Sequence, residues 1–342
     1  MTIENIKNMV ETAPEYTFLK TDEHLKNRII FLTLGGSYAY GTNIETSDID
    51  IRGCALNRPS DILGLTNFEQ KVDNVTDTTV YAFNKLIPLL INCNPNVIEM
   101  LGCKKGHYFL MNEIGKQLIE NKKMFLSQKA VQSFGGYANQ QLRRLENALA
   151  RDKMSQDMKE EHICGSMKDA AVLFEHRYKD FTDSSLKLYT DESKKDDMDK
   201  EVFVDVNLKH FPARDLNSVL NELTNVMRTY DNKLSHRNKK KDDAHLNKHA
   251  MHLIRLYLMC LDLLEKEEIV TYRENDREFL LEIRNGKYQN EDGTYKSEFF
   301  DIVTEYEKRM NYAKQNTSLP KNPDYKKIEE FVMEVNKKSL EV

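Results

Sequence analysis

Two kinds of hydrophobic pattern divide this chain near residue 125. Before that point, short apolar runs alternate with turn-forming sequences such as those at 57–60 and 94–96, which predicts short strands and helices. After it, apolar residues recur at the spacing of long amphipathic helices. The four helical patterns cover residues 133–150, 160–179, 216–233 and 244–266. We therefore predict an α+β domain over residues 1–125 and a mainly helical domain over residues 126–342.

Composition supports a folded, water-soluble protein. The 342 residues are 40% hydrophobic, which is enough for a sizeable core. No apolar run is long enough for a membrane span, and the first residues lack the pattern of a secretory signal. These features predict a cytoplasmic protein with no membrane association. The polar segment 180–200 has the high charge and low hydrophobicity of a loop.

The net charge and the cysteines limit the kinds of ligand and cross-link that this protein can have. A net charge of −5 gives no global attraction for nucleic acid, so any polynucleotide would have to bind local patches. The five cysteines stand at scattered spacing, which fits neither a zinc site nor a disulfide framework.

The first candidate site follows an apolar, β-branched run at residues 29–34 that ends in Gly35-Gly36-Ser37. This pattern predicts a buried strand leading into a tight turn. Glycine lets the backbone approach a ligand closely, and exposed amides after such a turn bind phosphate oxygens. We expect Gly36 and Ser37 to bind the phosphates of a nucleotide.

Two aspartates follow eleven positions after Ser37, in the sequence Asp48-Ile49-Asp50-Ile51. Strand alternation would place both carboxylates on one face. Hard divalent cations such as Mg²⁺ or Mn²⁺ bind carboxylate oxygens and substrate phosphates together. The alternative is an unrelated Ser-Asp loop before an edge strand. The combination with the glycine turn favours metal-assisted nucleotidyl transfer.

A later helix carries the second candidate group. Lys248, His252 and Arg255 lie at positions i, i+4 and i+7, so they share one stripe of the helix. Such a stripe can contact nucleotide phosphates or the charge that develops on pyrophosphate. The alternative is a basic stripe in solvent, which is the usual state of charged helix faces. The sequence Arg284-Asn-Gly-Lys287 either binds phosphate or ends a helix, and we favour the helix end.

Together these residues resemble the DNA polymerase β-like nucleotidyltransferase superfamily. The motif matches at Leu34-Gly35-Gly36-Ser37 and Asp48-Ile49-Asp50. The longer runs at 36–42 and 47–53, the segment 94–101 and the helix with Lys248 are similar to a stand-alone branch found beside RNA ligases and in phages. The resemblance implies a mixed sheet with helices, followed by a helical domain that completes the cleft.

The resemblance also implies a third metal-binding carboxylate on a later strand. We choose Glu99, because residues 97–101 form a short apolar run after a predicted helix at 83–93. The alternative is Asp77, which would open the strand at 78–81. A solvent-exposed role for Glu99 is also possible, since most glutamates are exposed.

The predicted activity is transfer of a nucleoside monophosphate from a triphosphate such as ATP to an acceptor hydroxyl, with release of pyrophosphate. In this mechanism Asp48, Asp50 and Glu99 bind Mg²⁺, Gly36 and Ser37 bind the phosphates, and the helical stripe neutralises the leaving group. The RNA-ligase-associated branch makes an RNA 3′ end, such as that of tRNA, the leading acceptor. Two alternatives are AMP transfer to a protein or small molecule, and a non-catalytic nucleotide sensor.

Overall fold

The computed structural model describes residues 1–153, 160–161, 164–165, 167–168, 186–194, 200–207, 212–213, 216–234, 243–291 and 293–341. The chain forms two compact units. The first unit comprises Met1–Arg144 and Asn247–Val342, and the second comprises Leu145–Leu246. These boundaries differ from the predicted division at 125/126, because the last third of the chain packs in the same unit as the first.

The first unit contains a five-stranded mixed sheet. Its strands are β1 Ile29–Leu34, β2 Ile51–Ala55, β3 Gln70–Asp73, β4 Thr78–Ala82 and β5 Tyr108–Met111. They are ordered β3-β4-β2-β1-β5. The β2–β4 pair is parallel, and β1 is antiparallel to both β2 and β5. A mixed sheet with helices confirms the predicted α+β class.

The helices begin near the amino terminus and dominate the carboxy-terminal third. They are α1 Ile3–Thr12, α2 Phe18–Thr21, α3 Gly36–Tyr40, α4 Pro59–Ile62, α5 Phe83–Ile91, α6 Pro95–Ile98, α7 Glu113–Glu120, α8 Lys129–Lys153, α9 Leu216–Leu234, α10 Asp243–Leu261, α11 Arg277–Arg284, α12 Ser297–Asn316 and α13 Tyr325–Ser339. None of the described helices has the length and apolarity that a membrane crossing requires.

Strand β1 forms the centre of the core. All six of its residues are buried, which explains why the sequence there is continuously apolar and β-branched. Strand β4, which is separated from β1 by β2, alternates, with Thr78, Val80 and Ala82 buried and Thr79 and Tyr81 half-buried. Because side chains alternate along a strand, Thr79 and Tyr81 share one face of the sheet.

Helix α10 packs against this core through the residues that its spacing predicts. Leu253, Ile254, Leu256, Tyr257 and Leu261 are all buried. The carboxy-terminal end of α10 continues into a short π-helix, Asp262–Lys266. There the buried Asp262 and Arg273 form an ion pair, with 2.5 Å between Oδ2 and Nη1, which ties the end of α10 to the segment before α11.

The predicted strand at residues 97–101 is wrong. The structure has α6 there, followed by a 3₁₀ turn at Glu99–Gly102. The Asn94 side chain accepts a hydrogen bond from the backbone N–H of Asn96, and Pro95 occupies the first turn. Asparagine followed by proline is a strong helix-start signal, and it outweighs the short apolar run.

The predicted loop at 180–200 is also wrong in part. Residues Leu186–Glu192 form β6, which pairs with β7 Lys200–Val206 to make a two-stranded antiparallel sheet in the second unit. Leu186 and Leu188 are buried against Val219 and Val226 of α9, so alternation along β6 supplies the apolar face that the high charge obscured. Most of the helix predicted at 160–179 lies outside the described residues.

Candidate active site

The glycine turn at the end of β1 is shaped by its contact with Asp50. Gly36 has φ +50, a backbone conformation that favours glycine. A Cβ atom on Gly36 would lie 1.9 Å from Oδ2 of Asp50. The backbone N–H of Gly35 donates to the carbonyl oxygen of Asp50 at 2.8 Å. The close approach that the sequence predicted for this glycine is therefore an approach to a carboxylate of the same chain.

Asp48 and Asp50 lie just before β2, which begins at Ile51. Asp48 is exposed, Asp50 is half-buried and Ile51 is fully buried in the sheet. The predicted strand thus begins one residue after the second aspartate. Both aspartates still border the same cavity.

A cavity of about 200 Å³ joins the glycine turn, the aspartates and the helical stripe. Its lining residues are Gly36, Ser37, Asp48, Asp50, Lys248, Met251, His252, Arg255 and Arg284. The structure therefore brings together every residue that the sequence analysis assigned to the site except Glu99. The carboxylates face a wall of cationic side chains, as expected for a site that binds both a metal and phosphates.

Along α10 the cationic stripe runs from solvent into the protein. Lys248 is exposed, His252 is half-buried and Arg255 is only 7% exposed. Arg255 stacks on the Tyr40 ring, with its guanidinium carbon 3.6 Å from the ring centroid. Its Nη2 lies 2.8 Å from Nδ1 of His252. Arg255 is therefore held in place by neighbours, and the interpretation of the whole stripe as solvated surface does not fit it.

Arg284 is a cavity residue that the sequence analysis did not select. Its guanidinium donates to the carbonyl oxygen of Thr42 at 2.7 Å and to the Ser47 hydroxyl at 3.1 Å. Two turns of α11 earlier, Arg277 donates to the carbonyl oxygen of Gly41. Burial, followed by the charge of Arg255, lowers the pKa of Arg284. These two arginines hold the loop between the glycine turn and the aspartates.

The structure confirms the helix end that we favoured for the sequence around Arg284, and phosphate binding there stays a prediction. Gly286 has φ +84, and its N–H donates to the carbonyl oxygen of Ile283, so glycine ends α11 as predicted. The same helix end also delivers Arg284 to the cavity. The seven-residue spacing of Arg277 and Arg284 on one helix face was the available signal.

Glu99 borders a second cavity of about 280 Å³ on the other side of Asp50. Its lining residues are Gly36, Asp50, Arg52, Thr79, Tyr81, Asn96, Glu99 and Arg255. The Tyr40 hydroxyl donates to Oε2 of Glu99. Burial raises the pKa of Glu99, and the charge of Arg255 opposes this shift. The carboxylate is thus shared between Tyr40 and the cavity.

Asp50 is surrounded by other charged groups. Burial raises the pKa of Asp50 to about 6, although the charge of Arg52 opposes the shift. The neighbouring carboxylates of Asp77 and Glu99 contribute to this rise. Arg52 lies 2.9 Å from Asp50 and 3.3 Å from Asp77, measured between nitrogen and oxygen. A carboxylate crowded by other carboxylates favours binding of a cation.

The donor set fits one kind of metal site. The described residues contain no group of three histidines, cysteines or carboxylates placed to hold a metal by themselves. Asp48 and Asp50 border one cavity with the glycine turn. Two carboxylates suit Mg²⁺, which commonly keeps water and takes its remaining ligands from substrate phosphates.

Comparison with known proteins agrees with this arrangement. Residues 8–161 match the model of the RNA repair pathway DNA polymerase beta family, RlaP. The chain has no match among curated protein sequences or solved structures. The matched residues include β1, the glycine turn, Asp48, Asp50 and Glu99. Over residues 8–161 the chain is therefore similar to a polymerase β-like nucleotidyltransferase family.

Proposed function

We propose that this protein is a metal-dependent nucleotidyltransferase that moves a nucleoside monophosphate from a nucleoside triphosphate to an acceptor hydroxyl. The observation that carries the proposal is the first cavity, where Asp48 and Asp50 lie opposite Lys248, Arg255 and Arg284 beside the glycine turn. Carboxylates for a cation and cations for phosphates are the two requirements of this reaction.

The cationic wall suits the leaving group. In the reaction the acceptor oxygen forms a bond to the α-phosphorus, the bond from that phosphorus to the bridging oxygen breaks, and pyrophosphate leaves with the electron pair. Lys248 and Arg255 neutralise the charge that develops on pyrophosphate, while the backbone at Gly36 and Ser37 binds its oxygens. Arg255 is held by Tyr40 before substrate arrives, so little reorganisation is needed during the reaction.

Asp48 and Asp50 would hold the Mg²⁺ or Mn²⁺. When bound, such an ion polarises the phosphate and lowers the pKa of the attacking hydroxyl. The Asp50 carboxylate is oriented by Arg52, which binds its Oδ1 and leaves Oδ2 beside Gly36. The chain thus supplies a fixed carboxylate at the point where the glycine turn would hold phosphate.

An RNA 3′ end is the acceptor that we propose, since the matched family is named for an RNA repair pathway. The decisive experiment incubates the protein and Mg²⁺ with each of the four α-³²P-labelled triphosphates, together with total RNA and protein from cells. We expect label that is sensitive to ribonuclease and resistant to protease. Label on protein or on a small molecule would favour the alternative acceptors, and nucleotide binding without pyrophosphate release would favour a sensor.

Replacing Arg255 tests whether its side chain binds the nucleotide or only lies in solvent. We expect Arg255→Ala to raise the KM for the triphosphate about thirtyfold, because a charged hydrogen bond to phosphate is lost. Arg255→Lys keeps the charge but loses the planar stack on Tyr40, so its effect should be intermediate. Arg309→Ala is the control, since Arg309 pairs with Glu265 on an exposed surface. Unchanged kinetics in Arg255→Ala would remove Arg255 from the site.

Glu99 remains the proposed third carboxylate and Asp77 the alternative. Oε2 of Glu99 is occupied by Tyr40, and Oε1 has no hydrogen bond among the described residues. We expect Glu99→Gln to raise the Mg²⁺ concentration for half-maximal activity about tenfold, and Asp77→Asn to leave it unchanged. The reverse pattern would assign Asp77. A raised triphosphate KM with an unchanged Mg²⁺ requirement would make Glu99 a positioning residue for Tyr40 and Arg255.

A further inference from the structure

The second cavity shares a wall with the first. Gly36, Asp50 and Arg255 border both cavities, so a group bound in one lies next to a group bound in the other. This shared wall is where the proposed reaction joins its two substrates. The first cavity matches the triphosphate, which leaves the second cavity to be explained.

Two adjacent strands build the floor of the second cavity. Arg52 of β2 is paired in register with Thr79 of β4, and Tyr81 lies two residues further on the same face. Asn96 in the first turn of α6 and Glu99 complete the lining. The cavity therefore rests on the central sheet, a rigid support for a bound group.

The two cavities differ in charge. The fixed charges of the first are three cations and two carboxylates, namely Lys248, Arg255, Arg284, Asp48 and Asp50. Those of the second are balanced, with Arg52 and Arg255 against Asp50 and Glu99. Arg52 is also engaged by Asp77, which reduces its attraction for a further anion. Excess positive charge suits phosphates, whereas a balanced polar cavity suits an uncharged ligand.

The second cavity also presents neutral hydrogen-bonding groups that the protein does not use. Neither the Thr79 hydroxyl nor the Tyr81 hydroxyl has a hydrogen-bond partner among the described residues. The Asn96 amide nitrogen lies 3.5 Å from the Tyr137 hydroxyl, while its side-chain oxygen bonds to no described residue. Sugar hydroxyls are both donors and acceptors, and an aromatic ring such as Tyr81 can stack on a base.

We propose that the second cavity is the acceptor subsite, which binds the terminal nucleoside of an RNA with free 2′ and 3′ hydroxyls and disfavours an end that carries a phosphate. This assignment rests on the proposed function. The bound hydroxyl oxygen attacks the α-phosphorus across the shared wall, its proton passes to the medium, and pyrophosphate leaves from the first cavity. The acceptor is thus recognised by hydroxyls, and the donor by charge.

The first test measures how acceptor and nucleotide respond to removal of the unused hydroxyls. The double variant Thr79→Val, Tyr81→Phe keeps the shape of both side chains. We expect it to raise the KM for a short RNA acceptor about tenfold and to leave the triphosphate KM within about twofold of wild type. Tyr312→Phe is the matched control, because Tyr312 is 68% exposed on α12. If the double variant unfolds at a lower temperature than wild type, the single variant Tyr81→Phe, which removes only one oxygen, is measured in its place.

The second test uses binding without turnover. Fluorescence anisotropy, with no triphosphate present, compares unlabelled RNAs that end in a 2′,3′-diol or a 3′-phosphate as competitors of a 5′-labelled diol RNA. We expect the 3′-phosphate RNA to compete about tenfold more weakly, because its charge would lose water in a cavity whose arginines and carboxylates already balance each other.

The outcomes separate this assignment from the proposed function. If wild type labels RNA but the double variant leaves the acceptor KM unchanged, or if both RNAs compete equally, the acceptor subsite lies elsewhere and nucleotidyl transfer stands. If the double variant raises only the triphosphate KM, the second cavity binds the nucleotide and the assignment is overturned. If wild type transfers label to no RNA, the proposed RNA acceptor and this subsite both fail.

Discussion

Replacing either Asp48 or Asp50 with alanine is expected to lower the rate of Mg²⁺-dependent pyrophosphate release about a thousandfold. Each aspartate supplies one of the two carboxylates in the first cavity, so either loss removes one of the carboxylates that we propose as ligands for the cation. Pyrophosphate release with saturating triphosphate and RNA measures the effect, and a Mg²⁺ titration shows whether added metal restores activity.

The unfolding temperature of each variant must also be measured, because a less stable protein would lose activity without any change in its catalytic groups. Asp48 is exposed, so Asp48→Ala should unfold at nearly the wild-type temperature. Asp50→Ala removes the partner of Arg52, but Arg52 still has the Asp77 carbonyl and carboxylate, so we expect only a modest loss. Asp50→Asn keeps the size of the side chain, and Asp301→Asn on the exposed side of α12 is the control. Wild-type rates in Asp48→Asn and Asp50→Asn would remove the catalytic assignment.

The second large effect is expected for Gly36→Ala. The new methyl carbon would lie 1.9 Å from Oδ2 and 2.7 Å from Cγ of Asp50, so either the turn or the carboxylate must move. A displacement of about 1 Å in a catalytic group can cost about a hundredfold in rate. Alanine is also strained at φ +50. We expect kcat/KM for the triphosphate to fall about a hundredfold.

Gly106→Ala is the matched control for this variant. A Cβ atom at Gly106 meets nothing within 4 Å, and its φ is not positive. The two variants make the same chemical change, so a selective loss in Gly36→Ala reports the contact with Asp50. Equal activity in both variants would show that the turn and Asp50 do not need the close approach. Circular dichroism and thermal unfolding would show that the fold is retained.

Local sequence patterns correctly predicted those elements that are set by residues close together in the chain. The apolar run at 29–34 is β1 and is buried throughout, as expected for a strand whose two faces are both covered by other parts of the protein. The spacing of apolar residues predicted α10 and its buried side. The glycine turn and the two aspartates led to the family that the comparison also supports.

Other predictions failed where two local signals competed. At residues 97–101 an apolar run suggested a strand, yet the capping Asn94 and the first-turn Pro95 start a helix, Pro95–Ile98. At residues 186–192 charge suggested a loop, yet alternating leucines supply a face for a strand. In both places the outcome depended on whether the apolar residues found something to pack against, which a short window of sequence does not contain.

The sequence by itself determined the motif that resembles polymerase β-like nucleotidyltransferases, because its apolar strand, glycine turn and paired aspartates lie close together in the chain. Only the tertiary structure decided which distant side chains join it. Arg284 enters through contacts with Thr42 and Ser47 that span more than two hundred residues, and Glu99 turns to Tyr40. Such contacts arise from packing between elements far apart in the chain, and no spacing along the sequence encodes them.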